Sequence, residues 1–229
     1  MKLVFKEFIG FIRQQKNRGG VRGMEIGVWY GKGSTQIWLN LAPRDSEFML
    51  IDSWKPYASN RDLIDGVPGL WKEMDNLSTD AFMSAFLETK KIEMERSRDN
   101  LAVTLLRGDS ARFLRYLQEG TFDFIYIDGD HKYEKVKSDI KEAKRLISKE
   151  FGLICGDDLE KLPSKELYEL AKQHPERDYL RAPHEFHPGV LAAVYEEFDG
   201  VNMFNGFWWI VMAGGKFKPD LFKLITPQP

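Results

Sequence analysis

The sequence predicts an α/β protein: one domain, residues 1–229, on a doubly wound, mostly parallel sheet of seven strands, with an antiparallel last strand and a helical insertion. Three observations predict it. Short apolar runs alternate with segments of helical periodicity, the pattern of repeated strand–helix–strand units whose strands lie parallel. The last two apolar runs are separated only by Asn205 and Gly206, a connection that suits a tight hairpin and so an antiparallel pair. One long stretch, residues 53–100, carries aromatics and charges but no strand, which sets it apart as an insertion.

Taken in order, the chain opens on MKLVFKEFIGFIRQQKNRGG, in which Phe5, Phe8, Ile9 and Ile12 recur at helical spacing. Lys2, Lys6, Arg13, Lys16 and Arg18 then form a solvated face, and Lys6 and Glu7 break the apolar run that a signal peptide needs. Candidate strands follow at 23–28, 48–52, 103–107, 122–128, 152–156, 201–204 and 207–213. Helices are expected at 34–41, 111–117, 133–148, 164–173 and 189–198. The clearest is 133–148: Tyr133, Val136, Ile140, Ala143 and Ile147 line one face and charges fill the other. In the insertion, Trp54, Tyr57, Trp71, Phe82 and Phe86 point to helices, and a connection of that length is expected to form a lid or substrate cap.

Composition narrows the function classes. Lys and Arg total 33 against 35 Asp and Glu, and no basic block stands out, which argues against a nucleic-acid partner. The longest apolar stretch, 207–213, is too short to span a bilayer, so no membrane partner is expected. Cys155 is the single cysteine, so no intrachain disulfide can form. Within the apolar run GLIC it reads as a buried, inert thiol, which fits a reducing, cytoplasmic compartment.

Four constellations carry chemistry. The first is EIGVWYGKGST, from Glu25 to Thr35, directly after the first strand. Glycines there let a backbone turn pass close to a ligand, at the end of a parallel strand where open α/β sheets bind cofactors. The spacing Gly27, Gly31, Gly33 is not the dinucleotide pattern GxGxxG, and an ordinary strand-to-helix turn reads similarly. The second is Asp52 at the tip of FMLID, followed by Ser53 and Trp54. Such a carboxylate can accept hydrogen bonds from both ribose hydroxyls, or simply cap. The third is Gly108-Asp109-Ser110, where Asp109 or Ser110 can cap the next helix. The fourth is FIYIDGDHKY, with Asp128, Asp130 and His131, together with Asp157 and Asp158 after the next strand. Charges at two neighbouring strand tips need partners or a cation, and hard oxygen ligands suit Mg²⁺. Asp130 can alternatively cap the helix near Lys132.

These motifs together resemble the class I S-adenosylmethionine-dependent methyltransferases, Rossmann-like enzymes, over residues 23–213. The run from Glu25 resembles their E-x-G-x-x-x-G motif, and IDGDHKYEKV followed by GDD resembles the metal-dependent sugar and macrolide O-methyltransferases and their cephalosporin-biosynthesis relatives. The resemblance implies S-adenosylmethionine as cofactor, held by Glu25, Gly27, Gly31, Ser34, Asp52, Ser53, Gly108, Asp109, Ser110 and Asp128. It implies Mg²⁺ on Asp128, Asp157 and Asp158, with His131 as general base, and methylation of a small-molecule hydroxyl. His184 and His187 would border the substrate pocket, and the N-terminal helix is a candidate homo-oligomer contact. The alternatives are an NAD-dependent oxidoreductase on a similar sheet and a non-catalytic S-adenosylmethionine-binding relative.

Overall fold

The computed structural model describes residues 1–15, 19–55, 74–181, 185–219 and 221. The expected alternation is present as α1 (Lys2–Gln15), β1 (Arg22–Ile26), α2 (Ser34–Leu41), β2 (Glu47–Asp52), α3 (Met74–Glu95), β3 (Ala102–Arg107), α4 (Ser110–Leu114) and β4 (Phe124–Ile127). It continues with α5 (Tyr133–Leu146), β5 (Phe151–Leu159), α6 (Lys165–Ala171), α7 (Pro188–Glu197), β6 (Asn202–Phe204), β7 (Gly206–Ala213) and β8 (Lys216–Lys218). The sheet runs in the order β3-β2-β1-β4-β5-β7-β6, with β8 paired to β7. Strands β1 to β5 run parallel to one another; β7 runs antiparallel to β5, β6 and β8. The chain reverses between β6 and β7 at Asn205 and Gly206, both with positive φ (47° and 83°), as the two-residue hairpin requires.

Alternation within strands divides the core into two layers. In β4, Phe124 and Tyr126 join the layer of α1, α2 and α3, whereas Ile125 and Ile127 join that of α5 and α7. The apolar face of α1 is spent on the sheet: Val4, Phe5, Phe8 and Ile12 are buried, and the Phe5 ring stands 4.6 Å from that of Phe124. Cys155 is buried in the same layer, and burial pushes its thiol well up, which agrees with an inert thiol.

Two expectations need adjusting. Residues 27 and 28 leave β1 and belong to the turn, because Gly27 turns the chain at φ +90°. Strand β8 was not anticipated; its three residues, Lys-Phe-Lys, carry too little pattern to read. Within the insertion, Ala81, Ala85 and Ile92 of α3 are buried in the core layer of α1 and α2. Tyr57 and Trp71 lie outside the described residues. Among the described residues no helix is long and apolar enough to cross a membrane.

Candidate active site

Because β1 to β5 are parallel, their carboxyl ends open on one side of the sheet, and a cleft of about 1810 Å³ lies there. Gly27, Ser34, Asp52, Ser53, Gly108, Asp109, Ser110 and Asp128 line it, as do His131, Asp157, Asp158 and His187. Both halves of the expected site therefore share one cavity. Glu25 lies below its surface, and Gly31 sits behind it, its N–H closing the turn on the Val28 carbonyl at 2.8 Å.

The glycine turn is held from below. A Cβ on Gly27 would sit 1.8 Å from the Asp128 carbonyl oxygen, so glycine is what lets the β1 turn pass against the tip of β4. Asp52 pins the turn from the other side. Its Oδ2 accepts the Val28 and Trp29 N–H groups at 2.8 Å each, and its Oδ1 accepts the Trp54 N–H at 2.6 Å. Of the two roles open to this carboxylate, ribose contact or capping, the structure shows the backbone-binding one. Glu25, fully buried, accepts the Ser34 hydroxyl at 2.5 Å on Oε1. Its Oε2 is buried without a hydrogen-bond partner, as is the Thr35 hydroxyl. Burial pushes Glu25 up to about 8, with Ser34 partly opposing it. After β3, Asp109 caps α4 through the Ala111 N–H at 3.0 Å and pairs with Lys135 at 2.8 Å. Ser110 donates to buried Asp139 at 2.6 Å, and burial holds Asp139 near 7.

The other half is built from imidazoles and carboxylates. His131 has Nδ1 2.9 Å from Asp178 Oδ1 and Nε2 3.0 Å from Asp158 Oδ2; His131 and Asp178 are both buried. His187 stands at the start of α7 with Nδ1 2.6 Å from Glu160 Oε1, its ring 4.6 Å from that of His131. Gly189 makes this meeting possible, because a Cβ there would lie 2.1 Å from the His131 carbonyl oxygen. Asp158 reaches the histidines because β5 changes register between Gly156 and Leu159 and Asp158 itself adopts φ +63°. A bulge re-aims a side chain in this way. Burial works against its charge, yet the His131 contact and nearby His187 hold Asp158 down at about 2. Burial, then the neighbouring Asp128 and Asp158, raise Asp157 to about 6, and burial raises Asp128. Asp130 accepts the Lys132 N–H at 3.0 Å, the local turn role considered for it.

Among the described residues, the group whose ligand atoms all lie within 4.8 Å is His131, Asp158 and His187, not Asp128, Asp157 and Asp158. Asp128 and Asp157 share the Tyr126 hydroxyl, which donates at 3.0 Å and 3.5 Å, while the bulge turns Asp158 to the histidines. Asp128 and Asp158 nonetheless stand beside the same atom, His131 Nε2, at 3.9 Å and 3.0 Å. Sequence reasoning missed Asp178 and Glu160, which lie in irregular segments where no periodicity marks them. His184 lies outside the described residues.

A methyltransferase-domain family model (Methyltransf_24) matches residues 24–159, from the first strand through the Asp157–Asp158 bulge. The chain belongs to the class I S-adenosylmethionine-dependent methyltransferases. Solved structures share this methyltransferase's fold at low identity. A candidate caffeoyl-CoA O-methyltransferase from Staphylococcus aureus is 12% identical with a TM-score of 0.50, over 93% of this chain and 83% of that one. The CurJ carbon methyltransferase gives 12% and 0.50, over 93% of this chain and 54% of that one. Cofactor-bound Rv0187 from MTB gives 14% and 0.48, over 92% and 81%. No curated protein matches the sequence. The first two are named for methylating different atoms, so the shared fold does not choose the acceptor. The nicotinamide alternative falls with the family match.

S-adenosylmethionine, the methyl donor of this family, fits what the cleft presents. Glu25 Oε2 is a buried polar atom in want of a partner, worth about 1–3 kcal/mol, beneath a turn that only glycine permits. The wall is rich in carboxylates, which suits a cationic sulfonium and ammonium.

Proposed function

We propose that the methyltransferase methylates a hydroxyl of a small molecule, seated against the His131–Asp158–His187 group. The observation that carries this reading is the carboxylate-backed His131 in the same cleft as the glycine turn. Glu25, Ser34, Asp52, Ser53 and the turns at Gly27 and Gly108 would hold the donor, which supplies an electrophilic methyl group when bound. The remaining requirement is an acceptor oxygen that has lost its proton. His131 stands where that proton must go: Asp178 fixes its ring through Nδ1, and Nε2 points at Asp158. The His131–Asp158 pair thus takes the proton as a unit. Asp128, Asp157, Asp158 and Glu160 crowd this end and would repel a carboxylate acceptor. The cleft also exceeds the roughly 300–1,000 Å³ typical of one small ligand, which leaves room for donor and acceptor together.

The Mg²⁺ dependence implied by the resemblance is not needed for this reading. The test is a panel of hydroxylated aromatics, sugars and polyketides, with amine and carboxylate analogues, incubated with methyl-tritiated S-adenosylmethionine. Label should enter hydroxyl compounds alone. Transfer to the amine or carboxylate analogues instead would sink the reading.

A further inference from the structure

We infer that His131, Asp158 and His187 form a site for a divalent transition-metal ion of the Zn²⁺, Mn²⁺ or Fe²⁺ type. The inference deepens the proposed hydroxyl methylation and rests on it for what the ion does, though not for whether the ion binds. The ligand atoms of the three residues lie within 4.8 Å of one another, and His131 Nε2 is 3.0 Å from Asp158 Oδ2. Two adjacent ligands at right angles, each ~2.1 Å from one ion, stand about 3 Å apart. The surroundings are those of metal-binding histidines. His131 is held by Asp178 at Nδ1, 2.9 Å away, while His187 Nδ1 stands 2.6 Å from Glu160 Oε1 and 3.8 Å from Asp158 Oδ1. Such outer carboxylates orient the ring and raise its basicity toward a metal. Glu160 also accepts the His187 backbone N–H at 3.1 Å, so that ring is anchored twice.

Ligand type then selects the ion. Two nitrogens and one oxygen suit borderline transition metals, whereas Mg²⁺ demands oxygen and gives up its waters reluctantly. Asp128 Oδ1, 3.9 Å from His131 Nε2, offers a further oxygen at the edge. The group faces the cleft, so positions stay open for water or an acceptor hydroxyl. An ion there lowers the pKa of a bound hydroxyl, and because it then occupies His131 Nε2 the released proton passes to water in the open cleft. In the stripped protein the His131–Asp158 pair receives the proton directly.

The test titrates Co²⁺ into the full-length, chelator-stripped protein and follows its visible d–d absorption. One Co²⁺ per chain should bind, Zn²⁺ should displace it, and a large excess of Mg²⁺ should not. His187→Gln and His131→Gln should each weaken Co²⁺ binding at least about tenfold, with Asp157→Asn leaving it unchanged. In the proton spectrum of the Co²⁺ form, a shifted, exchangeable ring N–H of His131 should appear and vanish in His131→Gln; thermal melts check that each variant folds. Loss of Co²⁺ on Asp157→Asn with retention on His187→Gln would return the ion to the acid trio and overturn the inference. So would the absence of stoichiometric binding. S-adenosylmethionine affinity, measured on the same preparations, separates the two ideas: donor binding without Co²⁺ sinks only the metal site.

Discussion

Beneath the glycine turn, Asp52 is held by three backbone N–H groups and Glu25 by one hydroxyl; across the cleft, Asp158, Asp178 and Glu160 are held by imidazoles. The first arrangement commits the Asp52 carboxylate to the backbone and buries Glu25 beneath it. A clamped carboxylate such as Asp52 cannot exchange its partners without opening the turn. In the second, each contact has a histidine at one end, and an imidazole nitrogen can hold either a proton or an ion. One end of the cleft therefore serves as framework, and the other is where protons and ligands can change hands.

The largest effect expected from this contrast is at Asp158. Asp158→Ala removes the carboxylate shared by both histidines and should lower methyl transfer by about 10²–10⁴. Donor affinity, measured by calorimetry, should barely move, because Asp158 takes no part in the turn. A parallel loss of donor binding would erase the distinction between the two ends. Gly27→Ala should do the reverse. The added Cβ meets the Asp128 carbonyl at 1.8 Å, and φ of +90° suits no L side chain. Strain of that kind costs about 1–3 kcal/mol, and at about 2–4 °C per kcal/mol the melting temperature should fall by several degrees, with donor binding impaired. A variant that melts and binds like the wild type would show that the turn does not need its close approach to β4.

Asp178→Asn should come next, at roughly 10–100-fold in turnover. The 2.9 Å contact to His131 Nδ1 sets which ring nitrogen faces Asp158, so kcat should fall with little change in donor affinity. Partial recovery in Asp178→Glu would separate ring orientation from a packing defect; equal loss of kcat and of folded protein in both variants would count against it.

Legibility in the sequence follows the same division. The glycine turn, Asp52, the Asp109 cap and the IDGDH run could be read because each is a local pattern at a strand tip. So could α5, whose apolar stripe Val136, Ile140 and Ala143 is buried as its spacing requires. The imidazole end could be read only in part. His131 was visible, but its partners are 27, 47 and 56 positions further along, at Asp158, Asp178 and His187. What joins them is a β-bulge, a left-handed Asp158 and the close approach at Gly189, three backbone events that side-chain patterns do not encode. The bulge is also why Asp157 and Asp158, neighbours in sequence, meet different partners.

The smallest effect tests the framework end, at Glu25. Burial raises it from 4.5 to about 8 in the folded chain, so at neutral pH it is largely protonated in the folded state and ionised in the unfolded one. The folded state then binds more protons than the unfolded state between those values, and stability must fall as pH rises through that window. The contribution of the neutral carboxyl is whole below pH 4.5 and is lost as pH passes 8. Glu25→Gln keeps the shape without the ionisation, so its melting temperature should decline less than that of the wild type between pH 5 and 8. A cationic donor arriving above Glu25 should favour the charged form and release a proton, visible as a buffer-dependent heat in calorimetry. In Glu25→Gln that release should disappear and donor affinity should drop by about tenfold, 1.4 kcal/mol. Parallel melting curves across the window would mean that Glu25 is ionised in the folded chain, and then the unpaired Oε2 would have to be satisfied by something other than the donor.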